Sequence, residues 1–169
     1  KMKLENYELV DKLGEGAFGE VWLTTKKDSP KKFATKKLDR EEIEKSEYSF
    51  HKLLTLASIV ELEGASSNDR ALVAGVFYNR LKSGWALGSD VTTRYALKID
   101  NPKQALSAAQ YQTKNLYNTR LQDGSMNGKF PVGAIATFGK DSLEASIYPN
   151  KTNYIYFIAN IKTLETFYD

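Results

Sequence analysis

Phe50–Glu63, with the sequence FHKLLTLASIVELE, is the stretch that decides the fold. Its apolar residues recur at the spacing of an α-helix, and four of them share one face: Leu53, Leu56, Ala57 and Val60. Gly64 follows directly and is expected to end the helix as its C-cap. The stretch therefore predicts a helix with one side in a hydrophobic core.

A second amphipathic helix is predicted at Arg70–Lys82, with Asn68 or Asp69 as its N-cap. Gly75 lies inside this helix and lowers its stability, so we expect a close approach between two helices at that point. The residues of this helix that face inward are apolar: Leu72, Val73, Val76, Phe77 and Leu81.

Shorter elements are predicted towards the C-terminus. Asn101-Pro102 predicts the start of a third helix that extends to Gln110, because Pro is favoured at the first helical position. Pro149 would stop a fourth helix, Asp141–Ile147. The last two β-prone runs predict a hairpin: Tyr154–Asn160 and Leu164–Tyr168. A long loop, Asn115–Thr137, precedes the fourth helix, and loops of this length are usually functional or disordered.

The first part of the chain differs in composition from the rest. Residues 1–47 carry 11 Lys or Arg and 11 Asp or Glu, whereas residues 48–169 carry 13 and 10. This fall in charge density indicates two domains, 1–47 and 48–169. In the first domain, three β-prone runs predict an antiparallel meander: Tyr7–Lys12, Glu20–Thr25 and Phe33–Leu38. The predicted fold class is α+β, with helices packed on a small antiparallel sheet and an N-terminal three-stranded meander.

Composition excludes several classes of site. The chain has no Cys, which excludes disulfides, thiolate zinc sites and a Cys nucleophile. A single His, His51, excludes metal sites built from several histidines. The net charge of +3 is too small to indicate nucleic-acid binding. No apolar run is long enough to span a membrane. We therefore expect no metal, no cofactor and no nucleic-acid partner.

A glycine-rich segment, Gly14–Val21 (GEGAFGEV), fits the pattern G-x-G-x-x-G-x-V. A β-prone run follows the glycines, whereas the glycine loop of a dinucleotide-binding fold opens a helix. With the lysine of Ala34-Thr35-Lys36 in the third run, Tyr7–Leu38 resembles the first three strands of a protein-kinase N-lobe. No H-R-D or D-F-G motif occurs in the chain. The resemblance therefore implies a kinase-like fragment without kinase activity, whose nucleotide-binding residues are vestigial: Gly14, Gly16, Gly19 and Lys36.

Glu61 is the candidate catalytic residue, because it follows the apolar run Leu56–Val60 near the end of the first helix. A carboxyl group that loses water there is expected to have a raised pKa, as a general acid requires. Periodicity alone favours a glutamate on the helix surface, since Glu61 lies one step beyond the apolar face. Glu63 is nearly as good a candidate on the same grounds.

The segment Leu54–Glu63 resembles the active-site helix of the MltG (YceG-like) endolytic murein transglycosylases. Four further motifs of that family follow in order over residues 48–169. They lie at Asp69–Leu81, at Leu87–Thr92, at Tyr117-Asn118-Thr119 with Phe130–Ile135, and at Leu143–Ala159. The family's membrane anchor is expected to be absent from this chain, and the kinase-like piece stands in its place. This combination favours a fusion or a chimeric sequence.

The resemblance implies an endolytic peptidoglycan lytic transglycosylase that cleaves the MurNAc-GlcNAc bond and leaves a 1,6-anhydro-MurNAc end. Glu61 would be the general acid/base, and six residues would bind substrate: Asn79, Asp90, Thr92, Tyr117, Asn118 and Thr119. Asp90 would either orient a loop or, if it lay across the cleft, make hydrolysis possible. The implied partners are glycan strands and the cell-wall elongation machinery, at the extracytoplasmic face of a bacterial membrane. Two alternatives remain, an inactive peptidoglycan-binding module and a nucleotide-binding fragment.

Overall fold

The structure of the chain is a computed structural model. It describes residues 7–16, 19–27, 30–38, 40–64, 66–159 and 166–169. The chain divides into two compact units between Glu47 and Tyr48, at the position where the charge density falls. Within the described ranges, no helix is long and apolar enough to cross a membrane.

The first unit is a three-stranded antiparallel sheet followed by a short helix. Its strands are β1 (Tyr7–Gly16), β2 (Gly19–Lys26) and β3 (Lys32–Leu38), paired in the order β1-β2-β3. The predicted antiparallel meander is therefore confirmed, with strands longer than the β-prone runs indicated. Residues 17 and 18 of the glycine-rich segment lie outside the described residues. The helix that follows, α1, spans Arg40–Lys45.

The second unit is built around α2, which spans Phe50–Glu63 as predicted. Ser49 caps its N-terminus, and seven of its residues are buried, namely Leu53 and every residue from Thr55 to Val60. The N–H of Gly64 donates to the Val60 carbonyl at 2.8 Å and ends the helix. Gly64 has a φ of −75°, so it is an extended residue and not the left-handed cap that glycine often forms.

The next helix, α3, spans Ser67–Lys82 and begins earlier than the sequence indicated. The predicted N-caps, Asn68 and Asp69, are wrong, because Ser66 is the cap and its hydroxyl accepts from the Asp69 N–H at 3.3 Å. The expected close approach at Gly75 is real, but its partner is not a helix. A Cβ at that position would clash with the carbonyl oxygen of Asn150, in the loop after the last helix.

The region after α3 differs most from the prediction. A helix that was not predicted, α4, spans Asp90–Leu97. Residues 101–107 form no helix, so the predicted third helix is wrong over most of its length. Only its end is helical, as the single turn α5 (Ala108–Tyr111), where Ser107 and Gln110 form a capping box. Residues 112–139 form the expected long loop.

The last elements complete the core. They are α6 (Lys140–Ile147) and a hairpin of β4 (Phe157–Ala159) with β5 (Thr166–Tyr168). The predicted hairpin is confirmed, but β4 is shorter than predicted, and residues 160–165 lie outside the described ranges. The ring of Phe157 packs edge-on against the fully buried Phe77 of α3, with centroids 5.7 Å apart. The helices thus pack on a small antiparallel sheet, as the α+β prediction required.

Candidate active site

Glu61 lies at the end of α2, where three donors surround its carboxylate. Oε2 accepts from the Ser142 hydroxyl at 2.6 Å and from the Gly139 N–H at 2.9 Å, while Oε1 accepts from Arg70 at 3.2 Å. These donors lower the pKa of Glu61, chiefly through the Ser142 hydrogen bond, and outweigh the opposing effect of burial. Gly139 and Ser142 belong to the start of α6, so Glu61 joins two helices.

The expectation of a raised pKa at Glu61 is therefore wrong. The apolar residues that precede Glu61 on its own helix predict only its burial. The donors that decide its pKa lie 78 and 81 residues further along the chain. An ionised carboxylate with three donors is a poor source of a proton at neutral pH.

Glu63 has the opposite environment. Its carboxyl is partly buried and accepts one hydrogen bond, from the Ser89 hydroxyl to Oε1 at 2.6 Å. Burial raises the pKa of Glu63 and is the largest influence, while the Ser89 hydrogen bond opposes it and the negative charge of Asp90 adds to it. The positive charges of Arg80 and Arg120 lower this pKa to a smaller degree. The raised pKa favours the protonated form, which can donate a proton.

Asp90, the first residue of α4, lies near Glu63 and is held by two neighbours. Its Oδ1 is 3.2 Å from Nε of Arg120, and its Oδ2 accepts from the Tyr111 hydroxyl at 3.2 Å. The guanidinium of Arg120 also lies over the Tyr111 ring, 4.8 Å from its centroid. Asp90 therefore ties the start of α4 to α5 and to the long loop. This arrangement matches the loop-orienting alternative.

Three of the predicted substrate-binding residues are completely buried: Thr92, Asn118 and Thr119. The hydroxyls of Thr92 and Thr119 are hydrogen-bonded to each other at 2.7 Å. The Asn118 side chain accepts from Thr93 at 2.7 Å and donates to two backbone carbonyls of the loop. Because these side chains have no exposed surface, the expectation that they contact substrate is not supported. They form the support beneath Ser89 and α4.

An open cavity of about 820 Å³ meets α2 at Leu62, and its lining residues include neither Glu61 nor Glu63. Leu62, which stands between Glu61 and Glu63, lines it together with Tyr95 and Tyr117. The two tyrosine rings meet edge to face with centroids 4.8 Å apart. Tyr117 is thus the predicted binding residue that the structure brings to a cavity wall. The other lining residues include Val91, Arg94, Asn115 and Ile135, which the sequence analysis did not select. The feature of the sequence that could have indicated this cavity is Leu62, an exposed apolar residue outside the buried face of α2.

Asn79, the remaining predicted binding residue, is engaged with the protein backbone. Its amide nitrogen donates to the carbonyls of Thr152 and Tyr154, both at 2.8 Å. Both amide hydrogens are therefore used to hold the segment that leads into β4, which leaves neither for a sugar. Over the described part of the chain, no group of three or more acidic or His side chains could hold a metal ion.

Comparison with known proteins gives consistent matches. A model of the YceG-like family matches residues 7–169, a range that includes β1–β3. An endolytic murein transglycosylase of Bacillus subtilis (strain 168) is 38% identical over 120 residues, which cover 71% of this chain and 31% of that protein. Another, from Streptococcus pneumoniae (strain D39), is 34% identical over 129 residues, covering 75% and 22%. The chain therefore spans less than a third of the length of these relatives.

A solved structure is also similar. It is the crystal structure of a yceG-like protein from Listeria monocytogenes, with a TM-score of 0.67 and 38% identity. The similarity covers 77% of this chain and 40% of the Listeria chain.

Proposed function

This chain belongs to the YceG-like family, and on that premise we propose that it is an endolytic peptidoglycan lytic transglycosylase. The reaction is cleavage of the MurNAc-GlcNAc glycosidic bond, which leaves a 1,6-anhydro-MurNAc end. The observation that carries the proposal is the partly buried carboxyl of Glu63, whose pKa is raised. Glu63 lies on the same helix turn as Leu62, which lines the cavity. The names of two relatives support the substrate class.

Glu63 takes the role of the acid in this proposal, in place of Glu61. Glycosidic cleavage needs a proton on the leaving oxygen while positive charge develops at C1 of the sugar. The raised pKa of Glu63 favours its protonated form, whereas the donors around Glu61 favour the carboxylate. Glu61 instead keeps α2 and α6 together.

The second step needs no further carboxylate. Once the bond between C1 and the leaving oxygen breaks, the C6 hydroxyl of the same MurNAc attacks C1 and forms the anhydro ring. Its proton passes to the Glu63 carboxylate, which regenerates the acid, and no water is consumed. This agrees with the position of Asp90, whose oxygens are engaged by Arg120 and Tyr111.

The glycan strand is proposed to lie in the cavity lined by Leu62, Tyr95 and Tyr117. Sugar rings have apolar faces that pack well on aromatic side chains, and their hydroxyls need polar groups at the edges. Arg94 and Asn115 supply such groups in this cavity. Arg94 also donates to the Asn101 and Gln104 carbonyls at 2.8 and 2.6 Å, and so holds the loop after α4 in place.

The test compares the muropeptides that wild type, Glu63→Gln and the matched control Glu61→Gln release from purified murein. We expect anhydro-ended products, lighter by one water, from wild type and from Glu61→Gln, and at least about 10²-fold less product from Glu63→Gln. Loss of product in Glu61→Gln alone would return the acid role to Glu61. Hydrated ends would indicate hydrolysis with a role for Asp90. Binding of murein by wild type without any product would support the binding-module alternative.

Location and partners follow from the substrate. Peptidoglycan lies outside the bacterial cytoplasmic membrane, so the proposed place of action is the extracytoplasmic face. The cell-wall elongation machinery is the proposed assembly partner, by family resemblance.

The kinase resemblance of residues 7–38 stays a prediction. The order β1-β2-β3 agrees with it, and Lys36 pairs with Val21 across β3 and β2. The match to the YceG-like family, however, already covers these strands.

A further inference from the structure

Ser89, the residue before α4, is held at both of its backbone polar atoms. Its N–H donates to the hydroxyl of Thr119 at 3.1 Å, and its carbonyl accepts from the hydroxyl of Thr92 at 2.7 Å. Ser89 is 3% exposed, and both threonines are completely buried. The backbone at Ser89 therefore has little freedom to move.

The direction of each hydroxyl bond in this cluster can be derived. Thr92 has one hydroxyl proton, which it gives to the Ser89 carbonyl. In the 2.7 Å contact between the two threonine hydroxyls, Thr119 must therefore be the donor. Thr92 also accepts from the N–H of Thr119 at 3.1 Å. Each proton of the cluster thus has a defined acceptor, and removing a member would leave a buried polar group unsatisfied.

The Ser89 hydroxyl donates to Oε1 of Glu63 at 2.6 Å. Within the described residues, Oε2 of Glu63 has no hydrogen-bond partner. The two carboxyl oxygens are therefore distinct, since Oε1 accepts from Ser89 and the transferable proton is left to Oε2. On the basis of the function proposed for Glu63, we infer that Ser89 is a positioning residue that orients this carboxyl for proton transfer, and that Thr92 and Thr119 hold Ser89 in place.

The first experiment measures kcat/KM against pH for murein cleavage by wild type, Ser89→Ala and Ser89→Thr. Ser89→Ala is expected to lose about 10²-fold in activity, because misplacing a catalytic group costs about that much. The limb of the profile that reports the acid should also move to higher pH, since a donor to the ionised form has been removed. Ser89→Thr keeps the hydroxyl and should restore both. The other charges that act on Glu63 are unchanged in these variants: Asp90, Arg80 and Arg120.

A second measurement does not depend on turnover. The carboxyl carbon of Glu63 is titrated by NMR in the full chain labelled with ¹³C-glutamate, and its signal is the one missing from Glu63→Gln. We expect the pKa of Glu63 to rise in Ser89→Ala and in Thr119→Val, and to stay unchanged in Glu61→Gln. A lower activity of Ser89→Ala without any change in the profile or in this titration would overturn the inference.

The same variants separate failure of the inference from failure of the proposed function. If Glu63→Gln still cleaves murein, the proposed role of Glu63 is wrong whatever Ser89 does. If Glu63→Gln is inactive while Ser89→Ala keeps the wild-type profile and titration, only the inference about Ser89 is wrong.

Discussion

Two glutamates separated by one residue have opposite surroundings because of helix geometry. Residues two apart lie about 200° apart around a helix axis, so Glu61 and Glu63 face different neighbours. Glu61 accepts a hydrogen bond from Ser142 at the start of α6, and Glu63 accepts one from Ser89 just before α4. At the scale of the residue, burial that outweighs a single donor favours the protonated form of Glu63, whereas three donors around Glu61 favour a carboxylate that links two helices.

Glu61→Gln tests that structural link. The folded-state pKa of Glu61 is below its ordinary value of 4.5, so its ionised form stabilises the fold above that pH. This contribution is lost as the pH falls through the folded pKa. We therefore expect the variant to have a lower Tm at neutral pH, and the difference from wild type to shrink below pH 4.5. Thermal unfolding by circular dichroism across this range measures it, and a difference that is the same at every pH would contradict it.

At the scale of the element, Gly75 decides how closely α3 approaches the loop after α6. In an exposed helix, changing Gly to Ala stabilises by about 1 kcal/mol. In this protein the added Cβ would clash with the carbonyl of Asn150, whose own N–H donates to the Ala71 carbonyl at 2.9 Å. We expect Gly75→Ala to destabilise by about 1–3 kcal/mol, as overpacking does. Urea denaturation measures the free energy of unfolding, and a gain in stability would show that the loop moves away without cost.

Elements whose signals are local could be predicted from the sequence, and those that depend on distant partners could not. The bounds of α2 follow from its own apolar spacing and from Gly64. In contrast, α4 contains Thr92 and Thr93, which are poor helix formers, and its stability depends on their hydrogen bonds with Thr119 and Asn118. The pKa expected for Glu61 was wrong for the same reason, because the Gly139 and Ser142 donors that lower it are distant in sequence.

At the scale of the whole molecule, burial is distributed unequally between the two units. Among the side chains whose burial the structure describes, the buried apolar residues belong to the second unit, from Leu53 to Ala145. In the first unit Thr24 is buried, while Leu9, Val10 and Leu13 of β1 are about half exposed. A small sheet whose first strand leaves its apolar side chains half exposed gains little free energy from burying them. The two units are therefore expected to differ in stability.

The two tryptophans of the chain allow this difference to be measured, because Trp22 lies in β2 and Trp85 lies just after α3. In Trp85→Phe the remaining fluorescence reports the first unit, and in Trp22→Phe it reports the second. We expect the Trp22 signal to change at a lower urea concentration than the Trp85 signal, and the proposed murein cleavage to be lost with the second transition. Far-ultraviolet circular dichroism of each variant should show both transitions and serves as the control. If the two fluorescence transitions coincide, the expected difference in stability between the two units is wrong.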